Sequence, residues 1–175
     1  LLSYEKHSQM QYYSSKLNDF YRRHPALYEM DYDPKGFSWV SCQDADHSLV
    51  SFARYSKKSA EKLFVICNFT PVEYQGYKAA VPFWGKYKEI FNSEAAEFGG
   101  SGMVNPRVKQ AKEGEVDGQD QYIEIALPPF GFVVFSAEET EKKKAVKRAK
   151  SSEPAEKKKT SSAKQKNPVK KPRKE

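Results

Sequence analysis

The segment Leu63–Pro71, with the sequence Leu-Phe-Val-Ile-Cys-Asn-Phe-Thr-Pro, constrains the fold of this chain more than any other segment. It is a short, continuous run of β-branched and aromatic residues that ends in Asn, Thr and Pro. Such a run predicts a buried strand that closes into a turn. Because a strand needs partners to form a sheet, the rest of the chain has to supply them.

Six further segments have the composition of short strands bounded by turn residues. They are Phe37–Trp39, Ser48–Tyr55, Gln75–Val81, Lys86–Phe91, Gln121–Leu127 and Gly131–Phe135. About seven short strands separated by turns predict an all-β fold, a two-sheet antiparallel β-sandwich. The stretch 92–120 is rich in Gly, Ser, Glu and Lys and has no sustained period. Since most connections have roughly 4–6 residues, we expect this stretch to be a functional or a mobile loop.

Ahead of the strands, the sequence has a helical period that Pro25 stops. The stripe consists of Tyr4, His7, Met10, Tyr13 or Ser14, Leu17, Phe20 or Tyr21, and His24. These steps of three and four predict one amphipathic α-helix in residues 1–25, followed by a β domain at 26–137. The helix lies either against that domain or against a domain outside this chain. Because the chain starts with Leu1 and not with Met, we expect the natural protein to begin upstream.

The charge of the chain is unevenly distributed. Residues 138–175 hold 15 Lys or Arg and 6 Glu, a net charge of +9, whereas residues 1–137 carry a net charge of −2. After Val146 the segment has only Ala and Val169 as apolar residues, too few to form a core, so we predict a disordered Lys-rich tail. Such a tail favours non-specific contact with polyanions, although basic tails of this kind are often only solubilising.

Candidate catalytic and metal-binding residues have simpler explanations. Asp44 and Asp46 could form a catalytic pair of carboxylates. Asp residues in a turn ordinarily hydrogen-bond the local backbone, however, and we favour this interpretation. The histidines, His7, His24 and His47, have no Cys or His neighbour at metal-ligand spacing. Gly99–Gly102 has the composition of a phosphate loop without its Lys-Ser/Thr ending, and indicates only flexibility. We therefore predict no catalytic residue, no cofactor and no metal.

Phe83 and Trp84 form the aromatic pair with a candidate binding role. Pro82 before them and Gly85 after them place two large rings on a turn. An exposed ring at this position would stack on the face of a sugar. The alternative is that the pair covers one end of the sandwich or packs on a neighbouring domain. This alternative is favoured, because isolated surface aromatics are common.

Two cysteines, Cys42 and Cys67, are too few for a disulfide framework, and Cys67 lies inside the apolar strand. This use of cysteine favours a reducing cytoplasm. No apolar run approaches the roughly 20 residues that span a bilayer, so we expect no membrane partner.

Five blocks, in order, resemble the C-terminal region of bacterial 1,4-α-glucan (glycogen) branching enzymes of the α-amylase superfamily. The blocks are Arg22–Tyr28, Asp44–Phe52, Val65–Pro71, Tyr87–Ser93 with Phe98–Ser101, and Leu127–Phe130. The resemblance covers roughly residues 1–136. It implies that residues 1–24 are similar to the final helix of a (β/α)8 catalytic barrel, and that residues 26–136 are similar to the all-β domain packed behind it. The Phe83-Trp84 pair and the Lys-rich tail depart from the family pattern.

The resemblance also implies a function. Enzymes of this family cut an α-1,4 linkage and pass the chain to a 6-hydroxyl, using an Asp nucleophile, a Glu acid/base and a second Asp at the ends of barrel strands. Since the sequence contains none of those strands, no catalytic residue of the family can be assigned to a position of this chain. We expect a domain that supports the missing barrel. Phe83 and Trp84 are its candidate glucan contacts. The alternative is a stand-alone carbohydrate-binding or interaction module with a polyanion-binding tail, which would bury its helix stripe against its own sheets.

Overall fold

The computed structural model describes residues 3–42 and 46–142. Within these residues the chain forms one α-helix, α1 (Glu5–Arg23), three short 3-10 helices (Pro25–Leu27, Pro34–Gly36 and Ala96–Phe98) and nine strands. The strands are β1 Phe37–Ser41, β2 Leu49–Tyr55, β3 Lys62–Asn68, β4 Tyr74–Ala80, β5 Gly85–Asn92, β6 Lys109–Gln110, β7 Lys112–Val116, β8 Gln119–Leu127 and β9 Phe132–Glu139. They form a six-stranded sheet, β1-β2-β3-β9-β5-β6, and a three-stranded sheet, β4-β8-β7, with antiparallel pairing throughout. The predicted two-sheet antiparallel fold is confirmed.

Strand β3 lies inside the six-stranded sheet, between β2 and β9. Phe64 and Ile66 belong to the apolar core between the two sheets, whereas Leu63 and Val65 belong to a second cluster that includes Phe20 of α1. Both faces of β3 are therefore covered, because side chains alternate across a strand. This double burial explains why the segment is a continuous apolar run and not an alternating one.

The turn after β3 is built around the buried side chain of Asn68. Its Nδ2 donates to the carbonyl oxygens of Val72, at 2.7 Å, and Pro128, at 2.9 Å. Its Oδ1 accepts a hydrogen bond from the backbone N of Thr70 at 2.9 Å. The Asn that ends the apolar run thus joins the β3–β4 turn to the turn between β8 and β9.

The expectation of one long loop at 92–120 is wrong. The stretch contains a 3-10 helix and two edge strands, β6 and β7. Asn105 anchors it: its backbone N and its Nδ2 both donate to Glu89 Oε2 at 2.8 Å, and its Oδ1 accepts from Ala126 N at 2.8 Å. Because β6 and β7 lie at sheet edges and bury few side chains, no apolar period marks them in the sequence.

The predicted helix is confirmed, but the predicted stripe is correct only in its C-terminal half. Phe20 is 9% exposed and its ring lies 4.8 Å from that of Phe91 on the sheet. In the N-terminal half Gln9 is half-buried, whereas Met10 is 62% exposed. The helix turns its Tyr13 ring onto Phe98, at 5.2 Å, and this contact with the stretch after β5 decides which side of the first turns is covered.

Polar contacts fix the C-terminal end of α1 to the β2–β3 hairpin. His24 Nδ1 lies 2.6 Å from Glu61 Oε1, and Glu61 Oε2 accepts a hydrogen bond from Ala26 N at 3.1 Å. Arg54 Nε donates to the carbonyl oxygen of Ala26 at 3.1 Å, and the guanidinium also pairs with Asp31. The segment between the helix and β1 is therefore held on the six-stranded sheet.

Candidate functional site

The Phe83-Trp84 pair lies on the bend between β4 and β5, and both side chains are half-buried. Both rings pack against the core between the two sheets. The Phe83 ring stacks on the buried Tyr87 ring, with centroids 5.7 Å apart, and the Tyr87 hydroxyl donates to the Phe83 carbonyl oxygen at 2.8 Å. Burial raises the pKa of Tyr87, so the hydroxyl keeps its proton and this hydrogen bond at physiological pH. The pair thus covers one end of the sandwich.

A lysine ammonium lies over each ring of the pair. Lys62 Nζ is 4.8 Å from the Phe83 centroid and also pairs with Glu139, while Lys142 Nζ is 5.2 Å from the Trp84 centroid. Each distance falls within the range of a cation–π contact. A sugar that stacked on the same faces would have to displace these side chains. The glucan contact at this pair stays a prediction.

The carboxylates and histidines are dispersed. Asp46 is exposed in a turn before β2, and Asp44 lies outside the described residues. His24 pairs with Glu61, and no group of three or more His, Cys, Asp or Glu side chains in the described part of the chain is arranged to hold a metal ion. Burial raises the pKa of the Cys67 thiol, which keeps it protonated as a small apolar side chain.

The glycines of Gly99–Gly102 shape a tight turn. Gly99 has φ +79° and ends the 3-10 helix Ala96–Phe98, a conformation that favours glycine. A Cβ on Gly100 would lie 2.6 Å from the backbone of Glu94, so only glycine fits there. The glycines, whose composition indicated flexibility, therefore allow the backbone at Gly100 to approach the backbone at Glu94 closely. Sequence reasoning did not anticipate the cavity that this turn forms with α1.

Comparison with known proteins assigns the fold to a family. A family model described as "Alpha amylase, C-terminal all-beta domain" matches residues 39–138. The chain belongs to this family. The match begins within β1 and ends within β9, and so includes both sheets of the alpha-amylase C-terminal domain.

The chain is also similar to curated bacterial proteins named 1,4-alpha-glucan branching enzyme GlgB. It is 40% identical to the protein of Geobacillus stearothermophilus over 134 residues, 77% of this chain and 21% of that enzyme. It is 42% identical to the Synechocystis protein over 134 residues, 77% of this chain and 17% of the enzyme. It is 44% identical to the protein of Francisella tularensis subsp. novicida over 131 residues, 75% of this chain and 20% of that enzyme. The chain matches about a fifth of the length of these relatives, and the resemblance found in the five blocks is confirmed.

The described residues of this C-terminal domain do not form a (β/α)8 barrel. All seven strand pairings within residues 3–42 and 46–142 are antiparallel, whereas such a barrel consists of eight parallel strands. α1, the α-helix of this part of the chain, is too polar to qualify as a membrane span.

Proposed function

We propose that this chain acts as the C-terminal all-β domain of a 1,4-α-glucan branching enzyme in glycogen biosynthesis. The observation that carries the proposal is the 40–44% identity, over three quarters of the chain, to proteins named for that activity. A (β/α)8 barrel elsewhere in the enzyme performs the transfer of α-1,4 glucan segments to 6-hydroxyls. The present chain supports that barrel and contributes no catalytic residue, so it is inactive alone.

We propose the outer face of the six-stranded sheet, with α1, as the surface that contacts the barrel. α1 covers the middle of this face through Phe20. Beside it, the rings of Phe37, Trp39 and Phe52 form an aromatic cluster with centroid distances of 4.9–6.1 Å, and Trp39 is 57% exposed. Exposed apolar clusters favour contact with another domain. The exposed Met10 of α1 supports the assignment of residues 1–25 as the barrel's final helix.

A stand-alone carbohydrate-binding module is the second candidate, and the burial of Phe20 favours it. Such a module buries its helix on its own sheet, as Phe20 does at the second apolar cluster. Under either proposal Phe83 and Trp84 are the glucan contacts carried from the sequence, and the surroundings are cytoplasmic. The polyanion contact belongs to the Lys-rich tail, of which residues 143–175 lie outside the described residues.

The test is a chimera of the Geobacillus stearothermophilus enzyme in which the aligned segment is replaced by this chain. We expect the chimera to branch amylose, measured as loss of iodine absorbance, because the fold and its barrel-facing surface are retained. The control carries the equivalent segment of the Synechocystis enzyme, which has the same name and is 42% identical to this chain. An inactive chimera beside an active control refutes the proposal, and so does branching activity of the isolated chain.

A further inference from the structure

A pocket of about 310 Å³ lies on the outer face of the three-stranded sheet. Ile123, Ile125 and Leu127 of β8 belong to the core between the sheets, so Glu124 and Ala126, which alternate with them, face away from that core. Both line the pocket, together with residues of β4 and of the segment between β5 and β6. This face is on the opposite side of the sandwich from the surface proposed to contact the barrel.

A β-bulge in β4 forms one wall of the pocket. Two residues of β4, Gln75 and Gly76, lie opposite the single residue Ala126 of β8, because the pairing register shifts here. The register pairs neither of them with β8, which leaves backbone polar groups of the bulge outside the ladder. Gly76 has φ +73°, and a Cβ on it would meet no atom within 4 Å. Glycine therefore suits the backbone conformation and leaves this wall open.

The carboxylate in the lining, Glu124, is already neutralised. Lys112 Nζ lies 2.6 Å from Glu124 Oε2, and Lys78 of β4 is directly opposite Glu124 in the register. The hydrogen bond from Lys112, followed by the charges of Lys112, Lys78 and Lys109, holds the pKa of Glu124 below its usual range. Glu124 therefore stays ionised among three lysines and leaves this face with an excess of positive charge.

Arg107 adds a further positive charge to the pocket. It is exposed, and its guanidinium has no ion-pair or hydrogen-bond partner within residues 3–42 and 46–142. Lys109 lines the same pocket. The five ionised side chains at this place, Lys78, Arg107, Lys109, Lys112 and Glu124, carry a net charge of +3, whereas residues 1–137 as a whole carry −2. The pocket is thus a local basic site on an otherwise acidic domain.

The charges and the size of the pocket indicate the class of ligand. A phosphate monoester carries a charge of about −1.5 to −2 at pH 7, which matches the two cations in the lining better than the single charge of a carboxylate does. The guanidinium of Arg107 presents parallel N–H groups that suit two phosphate oxygens. Pockets for small ligands typically have about 300–1,000 Å³, so this volume fits one sugar ring and not a longer chain. The Gln75 amide and the Glu124 carboxylate offer hydrogen bonds to hydroxyl groups.

We propose that this pocket binds the phosphate monoester of a hexose, with the phosphate on Arg107 and Lys109 and the sugar hydroxyls on Gln75 and Glu124. A free hexose phosphate and a phosphate ester carried on a glucan chain offer the same chemistry. The site goes beyond the proposed function, because the charge and shape of this face support it whether or not the chain belongs to a branching enzyme.

The test is a calorimetric titration of the full 175-residue chain with glucose 6-phosphate, inorganic phosphate and glucose. The buffer contains about 0.15 M salt, which screens charges more than about 8 Å apart. We expect glucose 6-phosphate to bind more tightly than inorganic phosphate, and glucose not to compete with it. Arg107→Gln should weaken glucose 6-phosphate binding roughly tenfold, because it removes charged hydrogen bonds. Arg107→Lys should weaken it less, since it keeps the charge and loses only the paired N–H groups.

The matched control is Lys57→Gln, which removes one positive charge from an exposed lysine of the β2–β3 turn, outside the pocket. It should bind glucose 6-phosphate as the unmodified chain does. The lysines of the tail are the same in every variant, so any attraction they exert does not change between variants. The melting temperature of Arg107→Gln should also be unchanged, because the side chain is exposed.

Three results overturn this inference: no binding of glucose 6-phosphate by the unmodified chain, equal binding by Arg107→Gln and Lys57→Gln, or inorganic phosphate that binds as tightly as glucose 6-phosphate. The last result identifies a site for an adventitious ion only. A titration with a phosphorylated α-glucan distinguishes the two sources of the ester. If it binds more tightly than glucose 6-phosphate and loses affinity in Arg107→Gln, the site is supported with the ester on a chain, and weaker binding supports the free sugar phosphate. An inactive chimera beside a tenfold loss in Arg107→Gln refutes the branching-enzyme proposal alone.

Discussion

Replacing Phe20 by Ala tests whether α1 is part of the cooperative unit of this domain. The Phe20 ring is 9% exposed and packs on Phe91, at 4.8 Å, and on His24, at 4.2 Å. A Phe side chain buries about 200 Å². If Ala retains about a third of that contact, the loss at about 25 cal/mol per Å² is about 3 kcal/mol of the free energy of unfolding. For a domain of this size, such a loss lowers the melting temperature by about 10 °C.

The assay is thermal unfolding of the full chain, followed both by the helical circular-dichroism signal at 222 nm and by tryptophan fluorescence. The fluorescence reports the sheets, because both tryptophans, Trp39 of β1 and Trp84 before β5, lie in the β domain. If α1 unfolds together with the sandwich, both signals shift down together in Phe20→Ala. Met10→Ala is the matched control on the exposed side of the same helix, and its stability should change by no more than about 0.5 kcal/mol. The reasoning is refuted if the sheet signal keeps its midpoint while the helical signal is lost at lower temperature. In that case α1 is only loosely attached, as expected for a helix whose main contacts lie on the barrel.

Two further predictions address the connection after β5 and the tail. Asn105→Ala should lower the free energy of unfolding in urea by about 2–4 kcal/mol, because it removes both side-chain hydrogen bonds to the backbone of half-buried Ala126 and one of the two that Glu89 Oε2 accepts from Asn105. The control is Asn18→Ala, on the exposed side of α1, and a loss below about 0.5 kcal/mol in Asn105→Ala would show that the anchor is unimportant. Truncation after Lys142, which preserves β9, should abolish nucleic-acid binding and leave maltoheptaose binding unchanged, because glucans are neutral. Nucleic-acid binding by the full chain should fall by roughly 10³–10⁵ between 50 and 200 mM salt if 6–10 phosphates are engaged, and binding that persists in the truncated chain would contradict this role of the tail.

The seven predicted strands could be found in the sequence because the burial of a strand requires apolar residues at neighbouring or alternate positions. β3 is covered on both faces and has the continuous apolar run Leu63–Cys67, whereas β2 and the second half of β8 alternate between buried and half-buried positions. The turn chemistry of Asn68 was also visible, since an Asn that follows an apolar run commonly closes a turn. In the same way, the helical period and Pro25 marked α1 and its end.

Contacts between distant segments decided the rest. Strands β6 and β7 leave no apolar period because they are polar edges, and their anchor is a hydrogen-bond network from Asn105 to residues 16 and 21 positions away. The helical period placed Met10 in the covered stripe, whereas Gln9 is half-buried and Met10 is exposed in the structure, where Tyr13 packs on Phe98 of another segment.

The candidate sites follow the same division. The sequence by itself determined seven of the nine strands, the helix and the aromatic pair Phe83-Trp84, since each depends on neighbouring residues. Only the tertiary structure brought Lys62 and Lys142 over those rings and placed Arg107 and Lys109 beside Gly76 at one pocket. The physical reason is that the periodicity of apolar side chains indicates whether a position is buried. Which residue covers that position depends on which distant segment of the chain packs against it in the folded structure.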